Sequence, residues 1–354
     1  MSAISTGMSN KITGMSLLCA LLVVFIHLNY VPKEVGSLAW MVWYFVRYGL
    51  ATIAVPYFFV ISGYFLARHC EDIGWWKSAV RSRFNTLVVP FIVWNVITLL
   101  YGYSMAGLCF LIRGHTAWIP PSVKGLLTSF GINPFCGPAC GPLWYVRALC
   151  LFVFLSPIII WCVKRWGWKV LPVLYVFYIV VNPGHVDIDN FWVCPKWRSF
   201  WRFGFSVEGL FYFTVGISLH VLRLSVSKRI GLLFGCVGVT LACTRMFLKM
   251  QGLNDSGYLV PLAIPLVMMG VWQIIGSSDR VKTLAGLSFP IYVMHSIMLS
   301  AFSIVYKNVL TSLSQECGLL MIIEWLFAVV LSICCACMLR KVLPSVSRVA
   351  FGGR

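Results

Sequence analysis

Ten stretches of this chain run for about 20 residues almost without charge, the length an α-helix needs to cross the hydrocarbon of a bilayer. They lie at approximately 12–31, 49–68, 84–112, 141–163, 168–183, 203–222, 229–248, 258–277, 283–306 and 318–343. Few folds are open to such a chain. In lipid every backbone N–H and C=O must find its partner inside the protein, so runs of this kind become helices packed side by side. The expectation is an all-α, polytopic transmembrane bundle of about ten spans. Only 11% of the 354 residues are charged, against roughly a quarter in soluble domains. No polar stretch is long enough to bury a core of its own, so one continuous membrane domain is expected over residues 1–354. The aromatic stretch "SLAWMVWYFVRYG" at 37–49 reads as an interfacial segment leading into the second span. "HLNYVPKE" follows the first run where a cleaved signal would need small residues, so that run is expected to be retained.

The net charge of +18 does not point to nucleic acid. The basic residues are scattered between apolar runs and never form a basic helix with interleaved aromatics. Their distribution reads as topology. With the N-terminus inside, 17 of the 28 Lys and Arg residues fall in the inner segments, which are also the shorter ones. Both termini are therefore expected on the cytoplasmic side. Among the 14 cysteines, Cys136, Cys140 and Cys194 fall in expected outer loops, but their spacing matches no standard zinc pattern.

Of the ionisable residues, His27, Arg147, Glu208, His295 and Glu324 all fall within the expected spans. A charge at the bilayer centre costs at least ~2.5–3.5 kcal/mol on insertion scales, so such groups face the bundle interior and pair there. By depth, His27, Arg147, Glu208 and Glu324 share the outer half of the bundle, with His295 nearer the middle. Together they offer a base, a cation and two carboxylates. Each has a structural alternative: an ion pair for Arg147 with Glu208 or Glu324, a bond to backbone for His295, an interfacial place for His27. Asn29, polar and two residues beyond His27, reads as a bystander. On the inner side "WWKSAVRSRFNTLVVP" sets Lys77, Arg81 and Arg83 just before the third span. Lys77 and Arg81 share a helix face, and arginine forks suit phosphate oxygens.

These pieces carry a resemblance. "LLCALLVVFIH" ending at His27, "PYFFVISGYFL" at 56–66, "RFNTLVVPFIVWN" at 83–95, "GPLWYVRALCLFVFLSPII" at 141–159 and "SFPIYVMHSIML" at 288–299 resemble, in order, the signatures of the acyltransferase-3 family of bacterial inner-membrane O-acyltransferases. The resemblance covers nearly the whole chain. It implies acetyl-CoA or another acyl-CoA as the cytosolic donor, and a glycan or lipid-linked saccharide hydroxyl as acceptor. It implies that His27 is central to catalysis, that Arg81 and Arg83 hold the donor's phosphates, and that Ser62 and Gly63 lie in the donor path. Two positions depart from the family pattern. Ser16 stands eleven residues before His27, where many relatives have arginine, and the Arg-x-x-Arg common before the third span is here Arg81-x-Arg83.

The chemistry fits. A sugar hydroxyl is a poor nucleophile until a base takes its proton, and histidine titrates in the right range. Glu208 or Glu324 is expected to orient the ring as a carboxylate does in a triad, and Arg147 to stabilise the oxyanion. Acyl-CoA is already activated, so no metal is expected. Association into a homo-oligomer is compatible with the sequence. Two other classes compete: a transporter or flippase with buried charges on its path, and a haem protein ligated by His27 and His295. Transport would be favoured by inverted repeats, and none is visible.

Overall fold

Each of the ten apolar runs is occupied by a helix. The computed structural model describes residues 5–113, 123–130, 133, 137–181, 205–253, 259–309 and 318–353, and no strand occurs among them. In chain order the helices are α1 (Thr6–Ile26), α2 (Leu38–Phe45), α3 (Ala54–Ala67), α4 (Trp75–Arg83), α5 (Val89–Arg113), α6 (Val123–Ser129), α7 (Trp144–Trp166), α8 (Val170–Val181), α9 (Val207–Val221), α10 (Lys228–Met250), α11 (Leu259–Ile274), α12 (Ser288–Val309), α13 (Gly318–Val342) and α14 (Pro344–Ala350). Seven helical stretches among the described residues are long and apolar enough to cross a membrane, and α9 and α11 are apolar but shorter.

Serines set several of the starts. Ser5, Ser37, Ser206 and Ser227 each accept a backbone N–H from the first turn of the helix that follows, at 3.1–3.4 Å. Gly167, at φ +61°, ends α7 and turns the chain into α8. The aromatic segment at 37–49 is not a separate interfacial piece. It forms α2 and runs through a π turn (Val46–Leu50) and a 3₁₀ turn into α3, one helical stretch from Leu38 to Ala67. The reason is packing: Trp40 and Tyr44 are buried, with their rings stacked at 4.9 Å.

Small residues bring helices together where lipid supplies no hydrophobic drive. Gly63 on α3 lies against the Phe213 carbonyl of α9, and Gly216 on α9 against the Val60 carbonyl of α3. A Cβ at either position would land on backbone. Gly235 and Gly270 make the same kind of contact between α10 and α11.

α1 is central. It packs against α3, α12 and α13, with Met15, Cys19, Ala20, Val23 and Val24 buried. At its first end Asn10 donates to Asp279 Oδ1 at 2.8 Å and to the Ser277 carbonyl at 3.2 Å. A second junction positions α4. Between α4 and α5 the helix widens into a π turn, Phe84–Val88. Pro90 has no N–H to give the Thr86 carbonyl four residues earlier, so the regular ladder is broken there. The segment at α14 closes over this turn: Trp94 Nε1 donates to the Ala350 carbonyl at 2.9 Å, Phe351 is fully buried against Trp94, and Gly352, at φ +63°, abuts the Thr86 carbonyl.

Candidate active site

His27 is the cap residue that ends α1. Its N–H still reaches the Val24 carbonyl, at 3.1 Å, but its backbone has left the helical region. The side chain is exposed. Beside it lies His295 of α12, fully buried, with ring centroids 5.1 Å apart and planes tilted by 32°. The His295 Nδ1 stands 2.6 Å from the Tyr292 carbonyl one turn earlier. A carbonyl only accepts, so Nδ1 carries the proton. In the neutral ring Nε2 is then a bare lone pair, and it is buried with no hydrogen-bond partner among the described residues. An unsatisfied buried acceptor beside an accessible histidine is the sharpest feature of this end of the bundle.

Glu324 of α13 is fully buried, as a carboxylate in a span should be, but it does not orient the His27 ring. Its oxygens accept the Asn29 N–H at 3.0 and 3.1 Å, the Asn29 Nδ2 at 2.8 Å and the Tyr30 N–H at 3.0 Å. Glu324 therefore grips the backbone immediately after His27 and fixes where α1 stops. Asn29 is no bystander, since its side chain is one of the donors that satisfy this carboxylate. The remaining two charges expected here lie elsewhere. Glu208, at the start of α9, accepts from the Tyr178 hydroxyl of α8 at 3.3 Å. Arg147 of α7 donates to the Asn133 carbonyl at 3.2 Å. Neither bonds to the histidine pair.

The guanidinium whose charge reaches His27 is that of Arg47, in the π turn packed against α1. It lies over the Trp43 and Tyr48 rings, 5.7 and 5.5 Å from their centroids. Its place in an aromatic stretch made it look interfacial. Arg245 also escaped notice. It lies inside α10, is 5% exposed, and donates to the Tyr48 carbonyl at 3.0 Å.

A cavity of about 310 Å³ lies between α1, α3, the junction of α4 with α5, α7 and α12, and neither His27 nor His295 borders it. Ser16, Ser62, Arg83, Tyr145, Ser288 and Tyr292 are among its walls. So two residues expected in the donor path, Ser62 and Arg83, face one space, and that space ends on Tyr292, whose carbonyl holds His295. Ser62 Oγ is 3.3 Å from the Tyr145 hydroxyl, which donates to the Phe58 carbonyl. Ser16 lines the same cavity, so the cation there comes from α4. Lys77 and Arg81 are on the exposed face of α4, and Gly63 faces α9. Gly63 is a packing contact and does not border the cavity.

Polar groups missed in the sequence hold the cavity's far wall. The Tyr292 hydroxyl donates to the Pro142 carbonyl. Asn95 Oδ1 accepts the Cys140 N–H at 3.0 Å while its Nδ2 donates to the Phe91 carbonyl at 2.7 Å. These bonds pin the turn that launches α7. Cys140, expected in an outer loop, is instead buried beneath α12 as a free thiol. Cys136 and Cys194 lie outside the described residues. No group of three His, Cys, Asp or Glu side chains is placed to share a metal ion among the described residues.

Residues 10–341 match the family model of an acyltransferase domain. The chain is 25% identical over 324 residues to the succinoglycan biosynthesis protein ExoH of Rhizobium meliloti (strain 1021), covering 85% of this chain and 81% of that one. No solved structure matches it.

Proposed function

This chain belongs to the acyltransferase-3 family, and from that premise we propose that it moves an acetyl group from cytosolic acetyl-CoA to a hydroxyl of an exported polysaccharide or of its lipid-linked precursor. The enzyme is a multi-pass membrane acyltransferase. The polysaccharide acceptor is suggested by the succinoglycan relative, and a bacterial inner membrane by the family resemblance.

The observation that carries the reading is the histidine pair, joined through the Tyr292 carbonyl to the wall of the cavity that Arg83 lines. The donor's phosphates would meet Arg83, with Lys77 and Arg81 on the exposed face of α4 adding charge outside. The pantetheine arm would pass Ser62 and Tyr145 to bring the thioester to Tyr292. His27 then takes the proton of the acceptor hydroxyl. The hydroxyl oxygen bonds to the thioester carbonyl carbon, the C–S bond breaks, and the proton leaves with the coenzyme thiol. His295 does what a carboxylate does in a triad. Its Nε2 lone pair, fixed by the Nδ1 bond to Tyr292 and without a partner among the described residues, would take up the N–H of His27 as that ring turns toward it, leaving the other His27 nitrogen as the base. Arg47 supplies positive charge where the oxyanion forms, a role that its place in the π turn packed against α1 supports better than that of Arg147.

The topology proposed with this mechanism puts both termini in the cytoplasm. The Asn10–Asp279 bond joins two segments read as inner, and the Glu324 bonds to Asn29 and Tyr30 tie together two ends read as outer. The deciding experiment is purified enzyme in lipid with acetyl-CoA and the host's glycan. Gain of one acetyl mass per modified sugar, with release of free coenzyme thiol, is expected. Glycan translocation without acyl transfer would replace this reading with a transporter.

A further inference from the structure

A second cavity takes no part in this chemistry. It has a volume of about 890 Å³ and lies between α1, α3, α9 and α11. Helix α3 separates it from the donor cavity. Tyr57, Val60, Tyr64, Ala67 and Arg68 recur at helical spacing and face the large cavity, Phe58, Ser62 and Phe65 face the small one, and Ile61 borders both. The Tyr57 hydroxyl closes the seam between the two, donating to the Ile12 carbonyl at 3.1 Å and lying 3.4 Å from Ser16 Oγ. Neither histidine borders either cavity, but Tyr292, whose carbonyl holds His295, lines the small one and not the large one.

Its two ends differ chemically. The deep walls are apolar, with Val215, Met268 and Trp272 among them. The opening is charged: Arg68, Lys164 and Arg223 stand there with one acid, Glu71, and with His220. Lys164 and Arg223 are exposed, and neither side chain has an ion-pair or hydrogen-bond partner among the described residues. Arg223 is held at φ +53°, the left-handed region, directly after α9. An apolar channel whose opening carries the exposed side chains of Lys164 and Arg223 matches an amphiphile with an anionic head. A soluble anion would leave the channel unfilled, and a donor bound there would be walled off from the histidines by α3.

We infer that this cavity is a binding site for an anionic phospholipid of the surrounding leaflet, with its phosphate against Lys164, Arg223 and Arg68 and its chains along the α9–α11 walls. The lipid does not react. It fills the space between α3 and α11 and holds the Tyr57 face of α3 in place, so membrane composition would bear on the enzyme independently of donor and acceptor.

Native mass spectrometry of the full-length protein in detergent tests this, with phosphatidylglycerol and phosphatidylcholine as the probes. One phosphatidylglycerol per chain should be retained through activation conditions that strip phosphatidylcholine. Lys164→Ala with Arg223→Ala should weaken retention about tenfold. Val215→Trp, which fills the channel without touching the charges, should exclude the lipid while the protein stays monodisperse. Equal retention of the two lipids, or unchanged retention in both variants, would overturn the inference. Displacement of the phosphatidylglycerol by free coenzyme A at one-to-one stoichiometry would also overturn it and assign the cavity to the donor. None of these readouts uses acyl transfer, so they stand apart from the test of the proposed reaction.

Discussion

His27 and His295 meet ring to ring, one exposed at the end of α1 and the other fully buried in α12 with its Nδ1 committed to the Tyr292 carbonyl. The pair divides the labour between a ring that meets substrate and a ring that holds it. Replacing His27 by Ala should lower acyl transfer by ~10²–10⁴-fold with the protein still inserted and folded. His295→Phe keeps the volume but removes the acceptor, and should also depress kcat. Rates within twofold of wild type for both variants would move the base elsewhere. Protein yield and melting curves separate lost chemistry from lost fold.

Glu324 acts on backbone, so its substitution should be felt as misplacement. Glu324→Gln puts an N–H group among the N–H donors of Asn29 and Tyr30. We expect kcat to fall by about 10–100-fold, the scale set by small displacements of a reacting group, with the KM for donor unchanged. Asn29→Ala removes one of these donors and should fall between Glu324→Gln and wild type. Full activity in Glu324→Gln would show that the end of α1 holds its place without the carboxylate.

Arg83 faces the cavity, and Lys77 and Arg81 face outward. Arg83→Ala should weaken acetyl-CoA binding by ~10–100-fold, the loss of a hydrogen-bonded charge contact. Lys77→Ala and Arg81→Ala should each do less, and their effect should fade at high salt because exposed charges are screened. Titration calorimetry ranks the three. Equal effects from all three would mean that the donor binds outside the cavity.

Gly63 belongs to packing. Gly63→Ala forces α3 away from the Phe213 carbonyl and should destabilise the protein by ~1–3 kcal/mol, the range for overpacked contacts. Gly102→Ala, where a Cβ meets nothing within 4 Å, is the matched control. A Gly63→Ala protein with unchanged melting temperature and weakened donor binding would return this glycine to the donor path.

Topology has its own test. A phosphatase joined after Arg354 should be inactive and a fluorescent protein at the same place bright, as for a cytoplasmic C-terminus. The reverse pattern would require an odd number of spans.

The parts legible in the sequence were those where polarity is out of place. His27, His295 and Glu324 were visible as ionisable groups in apolar runs, and the helices followed from the runs themselves. What Glu324 binds was not legible, because backbone N–H groups occur at every residue. Nor could the sequence tell Arg83 from Arg81. Which of them faces inward depends on helical phase, and the π turn imposed near Pro90 resets that phase. Arg47 was hidden for a different reason: an arginine among tryptophans and tyrosines has the composition of a membrane interface, and only the continuous helix from α2 to α3 packs its turn against α1.

The bonds from Asn29 to Glu324 span 295 positions of sequence, which gives them a meaning in time. At a translation rate of ~5–20 residues per second, α1 waits roughly 15–60 s in the membrane before its carboxylate partner is made. Through that interval the Asn29 and Tyr30 N–H groups have only interfacial water, and His27 sits on a frayed helix end. A nascent or prematurely terminated chain can thus be inserted and yet lack a working base. On the mechanism proposed above, acyl transfer cannot begin until α13 has arrived.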